Sequence, residues 1–225
     1  MKNVEMKAIR WPWPTLEAAK NDGAVVRFHD EWKFLSNMHR TPVQVCGTIM
    51  PATENGYVLG KLDPVTIGEK AVLEKIADAF AGFNANVTTA LRKLCENGDV
   101  PKGQAMMMVA KAVADLSPYE AKKIGRSFPL RDDWMDVHWK VMAVLQERKY
   151  APNSELARKL LATGDRPLLE GNTWGDRTWG VIDTRAGLEG LNALGRLLMR
   201  QREALGGAGA PEGLDAVKPV PFEPM

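Results

Sequence analysis

Past residue 69 the chain sets apolar side chains at helical spacing again and again, and this periodicity constrains its fold more than any other feature. Val72, Leu73, Ile76, Ala79 and Phe80 fall on one face of a helix over 69–80, and that face has to be covered. Residues 87–94 continue the pattern to the stop Asn97-Gly98, and residues 103–116 predict a third apolar helix carrying Met106, Met107 and Met108. Adjacent methionines at helical positions are more often adaptable core filling than a ligand groove. Ser117-Pro118-Tyr119-Glu120 has the order of a capping box with proline at the first helical position. Asp132 or Asp133 can cap a helix carrying Trp134, Val137, Val141, Met142 and Leu145. Asn153 opens a short helix that Gly164 can end, and a last long helix holds Leu188, Leu191, Leu194, Leu198 and Leu205 on one stripe up to Gly206-Gly207.

Strand signals precede the helices. Residues 24–28 are short and β-branched, and residues 43–49 alternate up to Pro51, so both are strand candidates. Trp11-Pro12-Trp13-Pro14 opposes regular structure, and Asn21-Asp22-Gly23 is a turn signal. Residues 1–23 are therefore expected to form an arm that packs its tryptophans on the domain. Residues 24–205 read as one α+β domain, mostly helical with a few short strands, and the Gly/Pro-rich residues 206–225 as a flexible tail.

Thirty basic and 28 acidic side chains leave a formal charge of +2, which excludes a polybasic coat but leaves room for a local basic patch. Cys46 and Cys95 lie outside any CxxC pattern and read as two reduced thiols. The first seven residues have no apolar signal-peptide core, and no apolar run reaches membrane length, so a cytoplasmic protein is expected. His29, His39 and His138 show no metal spacing, and no Walker or GxGxxG loop occurs, so neither a metal nor a cofactor is expected.

The chemistry is concentrated in Thr53-Glu54-Asn55-Gly56-Tyr57-Val58-Leu59-Gly60-Lys61. Seven residues make two helical turns, roughly 10.5 Å of rise, and helical side chains lean toward the N-terminus, so Lys61 reaches back toward Glu54. If the helix begins near Thr53, the carboxylate sits in its first turn, where the helix dipole favours the ionised form. By spacing alone the pair is a weak signal, since most such pairs are solvated surface charges. Gly56 and Gly60 each weaken a helix by ~1 kcal/mol relative to Ala. Either they let a ligand approach the backbone, or the segment is a single frayed turn. On both readings it contributes little core.

Four further blocks accompany this segment: Phe34-Leu35-Ser36-Asn37, the stretch from Ser117 to Arg126, Thr173-Trp174-Gly175-Asp176-Arg177-Thr178-Trp179-Gly180, and Asn192-Ala193-Leu194-Gly195-Arg196-Leu197-Leu198-Met199. In that order, over about residues 25–205, the chain resembles the NADAR (YbiA-like) family, whose members process N-glycosidic bonds of ribosylated bases. The resemblance implies a NADAR-like fold with catalytic Glu54 and Lys61. Lys61 would attack the anomeric carbon or trap the ring-opened aldehyde; an exposed lysine or a phosphate contact is the plainer alternative.

Substrate binding falls to Ser36, Asn37, Trp174, Asp176, Trp179, Gly180 and Asn192. Ser36 and Asn37 either bond phosphate or ribose or form a strand-end turn. Asp176 can take ribose hydroxyls while Trp174 and Trp179 stack on a base, or the tryptophans anchor core. Asn192 orients ligand or caps the last helix, and Arg126 and Arg131 are candidates for a diphosphate.

Departures from the family pattern concern the neighbours of the pair. The family commonly has His after the glutamate and Gln three residues later, where this chain has Asn55 and Val58. Met38-His39 replaces an aromatic pair after Ser-Asn, which puts substrate identity in question more than reaction class. The family joins the Glu/Lys helix to the Ser-Pro block by a much shorter segment, so residues 63–116 read as an enlarged helical insert. The function implied is that of an N-glycosidase, a hydrolase removing ADP-ribose from a modified base such as guanine in nucleic acid. The alternatives are cleavage of a phosphoribosylamino-pyrimidine of riboflavin synthesis, or binding of NAD or ADP-ribose without turnover. The partners expected are an ADP-ribose-type ligand or ribosylated base, and DNA, with no membrane.

Overall fold

A computed structural model describes residues 11–211 and Leu214. The first ten residues, and with them the start of the expected arm, lie outside the described residues, as does the rest of the expected tail. In chain order the elements are α1 (Leu16–Asn21), β1 (Val25–Val26), a 3-10 turn (Asp30–Leu35), β2 (Arg40–Val45), β3 (Thr48–Ala52), α2 (Thr53–Leu59), α3 (Lys70–Phe80), α4 (Ala85–Leu94) and α5 (Lys102–Ala114). There follow α6 (Pro118–Ile124), α7 (Trp134–Lys149), α8 (Glu155–Leu161), β4 (Leu168–Leu169), β5 (Ile182–Thr184), β6 (Gly187–Glu189) and α9 (Ala193–Ala204). Helix predominates and the strands are short, paired as β1 with β4 (parallel), β2 with β3 and β5 with β6 (both antiparallel). The fold is α+β. The chain forms two compact units, one of residues 37–149 and one of the residues on either side.

Within residues 37–149 the core is organised around α2. Val58 and Leu59 pack with Met50 of the β2–β3 hairpin, Leu73, Ile76 and Phe80 of α3, Leu91 of α4, Val109 and Val113 of α5, and Leu145 of α7. Six of the seven α2 residues are buried, which overturns the expectation of a frayed turn contributing little core. The glycines serve packing. A Cβ at Gly56 would stand 2.7 Å from a Leu145 methyl and one at Gly60 2.6 Å from a Val141 methyl, so both let α7 approach, and no ligand is needed to explain them. Gly125, after α6, is tight in the same way against Val58 at 2.7 Å.

The helices of residues 63–116 belong to this core. Asn55, on the inner face of α2, donates from Nδ2 to the carbonyls of Val113 (2.9 Å) and Leu116 (3.0 Å), satisfying acceptors that the end of α5 leaves open. Of the methionines, Met106 and Met108 pack against the cluster while Met107 is half exposed. Residues 43–49, read as one strand, fold instead as a hairpin, because Cys46 and Gly47 both take positive φ (48° and 73°) as a tight two-residue turn demands. The capping box at Ser117 and Glu120 is formed as read. Asp133 stands before α7, but its carboxylate pairs with Arg131 (2.9 Å to Nη2).

In the other unit Thr15 caps α1, a helix not expected so close to two prolines. Trp11 is buried and donates to the Gly190 carbonyl at 3.3 Å, while Trp13 donates to Asp22 at 2.8 Å. The short helix near 153 begins at Glu155 with Ser154 as its cap, because Asn153 adopts a φ of 65°. The last helix is shorter than its leucine stripe suggests. Gly187 and Gly190, at φ of 120° and 133°, turn the chain through the β5–β6 hairpin, so Leu188 lies in a strand and Leu191 in a loop. At the other end buried Arg202 donates to the carbonyls of Ala208 and Gly209, holding residues just inside the expected tail.

Candidate active site

Glu54 lies in the first turn of α2, only 8% exposed, and its N–H donates to the Asn37 carbonyl at 3.1 Å. Asn37 is itself buried, and its Oδ1 accepts from Gln146 Nε2 at 2.7 Å. Gln146, on α7, is therefore a supporting residue that the sequence reading missed. It stands 109 positions from Asn37, and nothing local marks it. Thr53 Oγ1 and Gln146 Oε1 are buried with no hydrogen-bond partner, so polar groups around Glu54 remain unsatisfied.

Lys61 follows the helix cap and points its ammonium at the Gly125 carbonyl, 2.7 Å away. Burial pulls its pKa below the ordinary lysine value; the Glu54 carboxylate opposes that shift, and the Arg126 and Lys122 cations add to it. A carboxylate, an amine moved toward its neutral form and two further cations thus share one neighbourhood, a set that can supply a nucleophile and charges of both signs. Arg131 lends its backbone N–H to the Lys61 carbonyl at 2.8 Å. Tyr57 of α2 packs its ring against Trp134, centroids 5.1 Å apart, and Trp134 is buried as its stripe predicts.

Ser36 closes the 3-10 turn and belongs with the second unit, where most of the remaining candidates form a single knot. Asp176 Oδ1 accepts from the N–H groups of Thr178 (3.0 Å) and Trp179 (2.9 Å), so this carboxylate first shapes its own turn. Asn172, also missed, binds both the N–H and the carbonyl of Asp176. Trp179 is half-buried against a cluster containing Leu194 and Leu198, whereas Trp174 is 67% exposed. Gly180 allows a close backbone crossing: a Cβ there would meet the Glu170 carbonyl at 2.2 Å. Asn192 is fully buried, accepts from Glu170 N–H (2.9 Å) and donates to the Leu168 carbonyl (2.8 Å). It holds the N-cap position of α9 in a left-handed conformation and its carbonyl accepts from Arg196 N–H at 3.0 Å, but its side chain makes no cap bond and is spent on holding β4.

Among the described residues no group of three or more His, Cys, Asp or Glu is placed to hold a metal ion, and no helix is long and apolar enough to cross a membrane.

Residues 27–206 match the model of the NADAR domain family, and the chain belongs to that family. It is 30% identical over 174 residues to a riboflavin biosynthesis protein of Vibrio vulnificus, an alignment covering 76% of this chain and 35% of that protein. A chloroplastic riboflavin biosynthesis protein of Zea mays is 30% identical over 191 residues, covering 73% of this chain and 30% of its own. The chain thus spans about a third of the length of these curated relatives. Among solved structures, the Escherichia coli protein YbiA is similar with a TM-score of 0.52 and 25% identity, over 82% of this chain and 86% of that one.

Proposed function

We propose that this chain is an N-glycosidase that hydrolyses the C–N bond between a ribose and a nucleobase, with ADP-ribose carried on a base such as guanine in nucleic acid as its substrate. One observation carries the reading: Lys61, an amine shifted toward neutrality, lies within the field of the buried carboxylate Glu54. As the C–N bond breaks, the base leaves with the bonding pair and takes up a proton, while positive charge grows on the anomeric carbon. Glu54 opposes that charge. The Lys61 amine attacks the same carbon, the ring opens to an imine, and water then releases the sugar and restores the amine. The net change adds one water across the bond. Arg126 and Lys122 supply charge for the phosphates of the sugar.

A second reading has its own support, since both curated relatives are named for riboflavin biosynthesis. It replaces the substrate by a ribosylamino-pyrimidine phosphate and keeps the same residues. Incubating the purified protein with ADP-ribosylated DNA and, separately, with that pyrimidine, and following base release by chromatography, separates the two. Borohydride added during turnover should fix a ribosyl adduct on the peptide containing Lys61. Release of base without that adduct would reject Lys61 as the nucleophile. Tight binding of ADP-ribose with no release from either substrate would make the chain a binding protein.

A further inference from the structure

Lys61 also fixes a loop. Its ammonium holds the Gly125 carbonyl and its own carbonyl accepts from Arg131 N–H, so residues 125–131 are tied to it at both ends. The middle of the loop is anchored by Phe128, which is buried with its ring 5.9 Å from that of Phe80 on α3. Between this loop and the end of α3 opens a cleft of about 550 Å3, whose lining includes Lys75, Asp78, Phe83, Ser127, Pro129 and Leu130.

Two kinds of surface meet in the cleft. Phe83, Pro129 and Leu130 make an apolar floor, and Leu130 leaves 55% of its area exposed there. Lys75 is an exposed cation on the rim, and Lys123 sets its ammonium 5.3 Å from the centroid of the Phe83 ring. The one carboxylate in the lining, Asp78, is offset by Arg92 at 2.7 Å. Arg126 and Lys122, whose charges act on Lys61, lie in the same stretch of chain. A single polynucleotide strand asks for this combination, with cations for its phosphates and flat apolar cover for its unstacked bases. An acidic peptide would use the cations and leave the floor uncovered.

We infer that the cleft binds single-stranded polynucleotide flanking the base on which Glu54 and Lys61 act. The assignment of that strand as flanking sequence rests on the glycosidase reading, whereas its test needs no turnover. Full-length protein is titrated into a labelled, unmodified DNA strand of about 12 nucleotides and followed by fluorescence anisotropy. The double variant Lys75→Glu/Lys123→Glu is expected to bind about tenfold more weakly or worse. Its plot of log affinity against log salt should be shallower by about 1.4, roughly 0.7 for each phosphate no longer neutralised. Lys75→Arg/Lys123→Arg should keep the affinity, and Leu130→Asp should lower it independently.

Three results overturn the inference: no binding by the unaltered protein at low salt, unchanged affinity in the folded Glu and Asp variants, or equal competition by a polyglutamate peptide of matching length. Cleft-dependent binding by a protein that releases no base from any substrate would remove the glycosidase reading alone. Base release without such binding would remove the cleft alone.

Discussion

A lysine that acts as a nucleophile must give up a proton near neutral pH, and the surroundings of Lys61 pull in both directions. Burial, Arg126 and Lys122 lower its pKa while Glu54 raises it, so kcat/KM is expected to rise with pH along a limb below that of a free lysine. Arg126→Ala removes a like charge and lets the pKa climb, which moves the limb to higher pH; Lys122→Ala does the same to a smaller extent. An unmoved limb in Arg126→Ala would mean that another group is titrating. The shift has a stability sign as well. Between the folded and unfolded pKa values the unfolded chain binds more protons, so this group's contribution to stability grows as pH rises through that alkaline window. Glu54→Gln and Lys61→Ala should each remove most turnover, as residues that act as a unit do, and product release beside circular dichroism checks both. Asn55→Asp is a different case. A carboxylate cannot donate to the Val113 and Leu116 carbonyls, and the buried acceptors left behind should cost about 2–3 kcal/mol, read by denaturant unfolding. The neighbourhood of Glu54 and Lys61 is legible in their spacing, although Lys61 lies just past the end of α2, whereas a catalytic role for the pair is what the family resemblance implies. The work of Asn55 is not legible, since its partners lie 58 and 61 positions away.

Helix α2 breaks a local preference for the sake of a tertiary one. Alanine at position 56 would raise helix propensity by ~1 kcal/mol, and at position 60, the cap of the helix, by less. Each new methyl would nevertheless press on α7, within 2.7 Å of Leu145 or 2.6 Å of Val141. Overpacking of that kind costs about 1–3 kcal/mol, so Gly56→Ala and Gly60→Ala are expected to melt lower than the parent chain. Leu145→Ala should return part of the loss at position 56 and none at position 60; equal effects at both would show that the helices simply move apart. Apolar periodicity makes α3, α4 and α5 legible, and side-chain order does the same for the capping box. The elements that escape a sequence reading depend on backbone sign. Cys46, Asn153 and Asn192 hold positive φ without being glycine, and each relocates the start or end of an element in a way that composition does not reveal.

Residues 63–116 read by sequence as an enlarged helical insert, and in the folded protein their helices are part of the core. Leu73, Ile76, Phe80, Leu91, Val109 and Val113 all lie in the cluster around α2, so this stretch supplies much of the core that positions Glu54 and Lys61. Replacing residues 64–115 by a Gly/Ser linker is therefore expected to abolish the cooperative unfolding of residues 37–149, measured by calorimetry. A sharp transition in the shortened chain would show the stretch to be dispensable. Substrate size is better probed by point changes in the cleft, which leave that core in place. The amide of Asn55 gives the stretch one more consequence, for anyone who builds hybrids between relatives. Position 55 directly follows Glu54 in α2, yet its hydrogen bonds end on Val113 and Leu116. A recombinant that inherits 63–116 from one parent and position 55 from the other will carry bare carbonyls or a stranded amide. The two are best crossed over together, and a library that places its breakpoint between them is expected to hold members of lower melting temperature, which narrows the set whose specificity can be scored.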